Sequence, residues 1–179
     1  FTRLTDSGLG CPDWPGCYGS ATPIGAKVEI TAAQTAMPTG PVTHSKAWIE
    51  MVHRYLASGV GLLIFALALG AWWLWKNANP KDKAKLLHPG WAVLTFVWVC
   101  IQGAFGALTV TMKLFPAIVA LHLLGGYILL ALMVGQAVAL SLRERTEPAF
   151  VVPQRLRLGM VMALLVLVLQ VLSGAWVST

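Results

Sequence analysis

Residues 51–75 have the sequence MVHRYLASGVGLLIFALALGAWWLW, in which Arg54 is the only charged side chain. A helix needs about 20 mostly apolar residues to cross the hydrocarbon core of a bilayer. Three further stretches meet this length, at 86–112, 114–142 and 158–179. None of them shows the alternating pattern of an outer-membrane barrel strand. The sequence therefore predicts an all-α membrane protein with four transmembrane helices in this chain.

The overall composition agrees with a membrane environment. Of the 179 residues, 57% are hydrophobic and 11% are charged, whereas a soluble domain carries about 25% charged residues. The net charge of +6 does not indicate nucleic-acid binding, because the basic residues flank apolar runs instead of forming a patch with accessible aromatic side chains.

Basic residues are distributed unequally between the two sides of the predicted helices. The two loops predicted to be cytoplasmic contain Lys76, Lys81, Lys83, Lys85, Arg143, Arg145, Arg155 and Arg157. The opposite side contains Arg3, Lys27, Lys46 and Lys113. By the positive-inside rule, residues 1–48 are extracytoplasmic. We divide the chain into an outer segment (1–48), three transmembrane helices (49–142), a basic cytoplasmic loop (143–157) and a further helix (158–179).

Cys11 and Cys17 both fall in the outer segment. Disulfides persist on this side of a membrane, which favours a disulfide between them over two free thiols. Two cysteines cannot complete a structural zinc site.

Ionisable residues cluster at the outer end of the first span, where Glu50, His53 and Arg54 follow one another closely. Such groups at membrane depth are costly and indicate function by default. Glu50 and His53 are three residues apart and share a helix face, so the carboxylate is a candidate proton acceptor or charge stabiliser. The structural alternative is an ion pair of Glu50 with Arg54 or Lys46.

His53 and His122 are predicted to lie at matched depth, about 9–10 Å below the outer interface, on two helices that run in the same direction. A pair of imidazoles in an apolar bundle suits the axial positions of haem iron. The alternative is that both are hydrogen-bonded packing residues. His44 and His88 lie in a loop and at a helix end, and we do not expect them to be ligands. Room for a flat macrocycle would come from Gly59, Gly61, Gly125 and Gly126.

Several motifs, in this order, resemble the haem A synthase family. They are TRLTDSGL at 2–9, CPDWP at 11–15, EMVHR at 50–54, QGAFGALTV at 102–110 and the stretch around His122. The resemblance covers nearly the whole chain. It implies an eight-helix protein built from two four-helix halves, of which this chain would run from after the first helix to the end of the fifth.

The resemblance also implies an activity and its residues. The family oxidises the C8 methyl of haem O, in successive steps, to the formyl group of haem A for terminal oxidase assembly. His53 and His122 match the family's axial haem ligands, and Glu50 matches the carboxylate that the family requires. Cys11 and Cys17 match two outer-loop cysteines of bacterial members, which are linked to haem delivery or redox control. A haem b cofactor is expected in the other half. Location in the bacterial inner membrane follows, with haem O, haem O synthase, an electron acceptor and the lipid bilayer as partners.

Three other functions remain open at this stage. A bis-histidine cytochrome b module would use the histidines without needing Glu50. A quinone-linked thiol-oxidising protein would depend on the outer cysteines, and a transporter would carry no chromophore. The sequence does not decide the electron acceptor, the source of the formyl oxygen or whether the protein forms homo-oligomers.

Overall fold

The computed structural model describes residue 2 and residues 4–83, 86–144 and 152–177. This part of the chain forms six helices and no strand: α1 (Lys27–Ala36), α2 (His44–Asn77), α3 (Pro80–Lys83), α4 (Gly90–Thr111), α5 (Pro116–Glu144) and α6 (Gln154–Val177). Four of them, α2, α4, α5 and α6, are long and apolar enough to cross a membrane. The predicted all-α class and the four spans are therefore confirmed.

Two short helices, α1 and α3, were not predicted from the sequence. Some residues on which it relied lie outside the described part of the chain: Arg3, Lys85, Arg145, Ser178 and Thr179. Residues 145–151 of the predicted cytoplasmic loop at 143–157 lie outside it as well.

Helix α2 is the longest element, with 34 residues, or about 51 Å at 1.5 Å per residue. It begins at His44 because the side chain of Thr43 caps it, accepting a hydrogen bond from the Lys46 amide at 3.3 Å. A hydrocarbon core is only about 30 Å thick, so α2 is long enough to extend beyond it. Residues that precede α2 in the chain pack against its first turns.

The membrane helices pack in chain order. Helix α4 contacts both α2 and α5, and α5 contacts α6. Their large apolar side chains mostly point away from the protein, as Leu62, Leu130 and Leu164 show with exposed fractions of 69%, 59% and 61%. This surface is stable against lipid tails, since helices in a bilayer need no apolar core of their own and associate through close packing and hydrogen bonds.

The main buried apolar cluster lies at the outer end of α2. It joins residues 4–43, which we call the outer loop, to the first turns of the helix. Its members are Cys11, Cys17, Ala26, Ile30, Ala47 and Met51. Cys11 and Cys17 form a disulfide, which confirms the favoured reading of the pair. The outer loop is therefore a folded cap that is fixed to one helix.

Gly10 lies where the outer loop approaches the backbone of α2 most closely. A Cβ atom added at Gly10 would lie 2.5 Å from the carbonyl carbon of Lys46 and 2.7 Å from the Ala47 amide nitrogen. Neither backbone atom can move without disturbing the helix. Glycine is required here for space.

We expect Gly10→Ala to destabilise the docked outer loop by about 1–3 kcal/mol, the usual cost of inserting a carbon into a filled space. The measurement is the rate at which trypsin cleaves at Lys27, an exposed residue in α1, because cleavage there reports local opening. Gly70→Ala is the matched control, since nothing lies within 4 Å of an added Cβ in α2 at that position. Equal cleavage rates in both variants would contradict the role of Gly10.

Candidate functional site

Glu50 lies on α2 directly beneath the outer loop and is only 3% exposed. Its Oε2 accepts a hydrogen bond from the Cys11 amide at 2.9 Å. Its Oε1 accepts from Nη2 of Arg54 at 2.5 Å. The carboxylate thus joins the disulfide-bearing loop to the helix. The ion pair considered as the structural alternative is present, with Arg54 and not Lys46 as the partner.

Arg54 extends this connection to the next part of the loop. Its Nη1 donates to the carbonyl oxygens of Gly16 at 2.5 Å and Pro15 at 3.2 Å. One turn of helix therefore binds the loop on both sides of the disulfide, through Glu50 at Cys11 and through Arg54 beside Cys17. Tyr55 adds a third anchor, its hydroxyl donating to the Ala21 carbonyl at 2.6 Å.

The loop between the two cysteines is itself held in shape by Asp13. The two carboxylate oxygens of Asp13 accept from the amides of Tyr18 at 2.6 Å and Gly19 at 2.7 Å. Beside this turn, an open groove of about 450 Å³ runs between the loop and α2, lined by Trp14, Arg54 and Tyr55 among others. The groove is therefore lined by an aromatic side chain of the loop, Trp14, and by Arg54 and Tyr55 of α2.

His53 and His122 are both half-buried, on α2 and α5 respectively. Their side chains lie near enough to each other to interact electrostatically. Both helices pack against α4, which explains how two residues far apart in sequence reach the same region. The structure therefore places the two predicted ligands within electrostatic range of each other on helices that share α4 as a neighbour. It places Glu50 on the turn of α2 that precedes His53.

The surroundings of His122 fit an imidazole that is presented to a metal. A Cβ added at Gly106 of α4 would lie 3.3 Å from Cε1 of His122, so only glycine leaves the ring ordinary space there. The buried Nδ1 of His122 has no hydrogen-bond partner among the described residues. Within the same residues, no three His, Cys, Asp or Glu side chains are grouped to hold a bare metal ion. Haem needs only axial ligands from the protein, because the porphyrin supplies the others.

The other candidate residues have ordinary structural environments. Nε2 of His44 lies 2.9 Å from Oγ1 of Thr31, and Nδ1 of His88 accepts from the Gly90 amide at 3.1 Å. The sequence analysis rejected both as ligands, and these contacts give each a structural use. Cys100 is exposed on α4.

Sequence reasoning did not anticipate the environment of His122. Nε2 of Gln102 donates to the main-chain carbonyl of His122 at 3.0 Å, although Gln102 entered the analysis only as part of a motif. One signal was present: a carboxamide in the middle of an apolar membrane helix needs a hydrogen-bond partner. The Arg54 contacts to the loop carbonyls could not be foreseen, because they depend on how the loop folds back.

Four membrane-spanning helices, two half-buried histidines on helices that share a neighbour, and a buried carboxylate under a disulfide-linked cap define a multi-pass helical membrane protein with a candidate binding site beneath the cap. Known sequences narrow this class. A family model described as cytochrome oxidase assembly protein matches residues 1–179. No solved structure matches the chain.

Curated relatives are named heme A synthase. The protein from Shewanella oneidensis is 40% identical over all of this chain, and the match covers 51% of that protein. The protein from Bacillus licheniformis is 27% identical over 97% of this chain and 50% of its own length. The protein from Exiguobacterium sibiricum is 34% identical over 66% of this chain and 32% of its own length.

The chain belongs to this family of cytochrome oxidase assembly proteins, the haem A synthase family. It is a multi-pass protein of the bacterial inner membrane. It spans about half the length of the Shewanella and Bacillus relatives.

The buried Glu50–Arg54 ion pair and the exposed Asp6–Lys46 ion pair allow a test of whether Glu50 holds the outer loop on α2. We expect Arg54→Met to destabilise the outer loop by about 3–5 kcal/mol, because it leaves the buried carboxylate of Glu50 without its cation. Lys46→Met is the matched control: Lys46 pairs with Asp6 at 2.7 Å, but the Asp6 side chain is 93% exposed, and exposed pairs contribute little. The measurement is trypsin cleavage at Lys27. Similar rates for the two variants would show that the Glu50–Arg54 pair does not hold the loop.

Proposed function

We propose that the full-length protein containing this chain is a haem A synthase, which oxidises the C8 methyl of haem O to the formyl group of haem A. The proposal is supported by His53 and His122 lying within electrostatic range of each other, with Glu50 three residues before His53 on α2, in a chain that matches the family over its whole length. In this proposal, the two imidazoles hold the iron of the substrate, and the haem b expected in the other half takes part in the electron transfer.

The histidines orient the substrate, and the helices around them exclude water. His53 and His122 sit on separate helices that both pack on α4, so their separation is fixed by helix packing and not by a mobile loop. The apolar outer surfaces of α2 and α5 allow a substrate with an isoprenoid tail to enter from the lipid. The protein supplies orientation and electrostatics, while the redox chemistry belongs to the haem groups.

Glu50 acts in this proposal as a fixed negative charge. Both of its oxygens already accept hydrogen bonds, from Arg54 and from the Cys11 amide. Accepting a proton would weaken these bonds, whereas stabilising positive charge at the reacting methyl carbon would leave them intact. Prearranged charge of this kind lowers a barrier without reorganisation during the reaction. Of the two roles left open by the sequence, the contacts favour the charge stabiliser.

The structural use of Glu50 also bears on the cytochrome b alternative. A carboxylate that holds the outer loop would be useful to an electron-transfer module as well as to a synthase. The presence of Glu50 therefore does not distinguish a synthase from a cytochrome b module. A test must use variants that distinguish the loss of the Glu50 charge from the loss of the outer-loop structure.

The test is to express the full-length protein with a source of haem O in cells that make no other haem A, and to identify the extracted haems by mass. We expect haem A from the wild type and none from His53→Ala or His122→Ala. Glu50→Gln should accumulate haem O, with haem A formation reduced about 10²-fold, as for loss of one electrostatic group at a reaction centre.

Gly10→Ala is the control for this experiment, because it loosens the same loop and leaves the carboxylate in place. It should retain far more haem A formation than Glu50→Gln. Equal losses in the two variants would mean that Glu50 acts only through the loop. Wild-type protein that contains haem b alone would contradict the synthase and support the cytochrome module.

A further inference from the structure

Three residues of α4, spaced four apart, face the segment of α5 that carries His122. Nε1 of Trp98 donates to the Gly125 carbonyl at 2.9 Å, and Nε2 of Gln102 donates to the His122 carbonyl at 3.0 Å. One turn further along, Gly106 lies against the imidazole ring. Residues four apart lie on one face of a helix. Together these residues form a continuous surface that binds the backbone of α5 at His122 and three residues beyond it.

Gln102 is the centre of this surface. It is only 7% exposed, and it fits because α5 has a glycine opposite it. A Cβ added at Gly125 would collide with the Gln102 carboxamide. The two helices thus make room for a polar side chain at a depth where polar groups are costly.

Two polar atoms in this region have no hydrogen-bond partner among the described residues, Oε1 of Gln102 and Nδ1 of His122. Oε1 of Gln102 can only accept a hydrogen bond. Nδ1 belongs to His122, whose main-chain carbonyl already accepts a hydrogen bond from Gln102. An imidazole that ligates a metal through Nε2 carries its hydrogen on Nδ1 and almost always donates it to an acceptor. The buried acceptor and the potential donor are therefore complementary once Nε2 is committed.

We propose that Gln102 is the positioning residue of His122. Its amide N–H fixes the α5 backbone, and its Oε1 accepts the Nδ1–H of His122 when Nε2 binds haem iron. The inference rests on the proposed function, since it takes His122 as an iron ligand.

The same pair of helices provides a matched control. Gln136 of α5 donates to Oγ1 of Thr95 on α4, and Thr95 is only 1% exposed. This bond also joins α4 to α5 through a glutamine, here a half-buried one, but it lies fourteen residues beyond His122 along α5. Gln136→Met removes an interhelical hydrogen bond of the same kind without touching the histidine.

The experiment uses the full-length protein with haem bound, and records the electron paramagnetic resonance spectrum of the ferric form and its midpoint potential. His122→Ala first identifies which signal belongs to this site. Gln102→Met should move the largest g value, raise the midpoint potential because the imidazole becomes less basic, and weaken haem binding about ten- to a hundredfold. Gln136→Met should leave all three unchanged, and Gln102→Glu, as a neutral acid that still donates and accepts, should restore them largely.

Each other outcome overturns the inference. A wild-type spectrum and potential in Gln102→Met would show that Oε1 does not reach the ligand. Equal shifts of the g value and midpoint potential in Gln102→Met and Gln136→Met would show that Gln102 only holds the two helices together. If Gln102→Met does not assemble, Gln102→Asn must shift the potential in the same direction. A signal that survives in His122→Ala would remove the proposed function together with this inference, whereas a signal lost there and unmoved in Gln102→Met would remove the inference alone.

Discussion

Lipid tails offer no hydrogen bonds, and the arrangement of polar groups in this protein follows from that constraint. Backbone groups are satisfied within the long helices, as any membrane-spanning segment requires. Buried polar side chains of the helices meet partners on a neighbouring element: Gln102 binds the α5 backbone, Thr95 accepts a hydrogen bond from Gln136 of α5, and Glu50 binds the outer loop. Apolar side chains can face outward in large numbers because they have no core to fill. Specificity in the fold therefore resides in a few polar contacts.

Helix α2 connects the two environments. Its outer turns carry the buried cluster and the bonds to the outer loop, while its next turn carries His53. Helix α4 positions His122: Gln102 donates a hydrogen bond to the His122 carbonyl, and Gly106 leaves space for the imidazole ring. His122 is thus positioned by contacts with a neighbouring helix, while His53 lies one turn along α2 from the contacts that hold the outer loop. The disulfide-linked cap and the proposed haem site are adjacent along α2, since Glu50 binds the cap and precedes His53 by three residues.

Much of this could be predicted from residue patterns. Long apolar runs predict membrane helices because the bilayer sets their length, and the outer location of Cys11 and Cys17 favours the disulfide that is observed. The small helix α1 was missed because its sequence, KVEITAAQTA, carries no strong apolar periodicity. The Arg54 contacts with loop carbonyls depend on a backbone path that no local pattern encodes. Gln102 was visible as an isolated polar residue, but its partner on another helix was not.

The most direct measurement of the central claim is the near-infrared magnetic circular dichroism of the full-length protein with ferric haem at this site, in wild type and in the His53→Ala and His122→Ala variants. This spectrum reports the chemical identity of the axial ligands. The account predicts a bis-histidine signal that is lost in each variant. A signal of this site that stays bis-histidine in either variant would contradict it, because His53 and His122 could not then both be ligands.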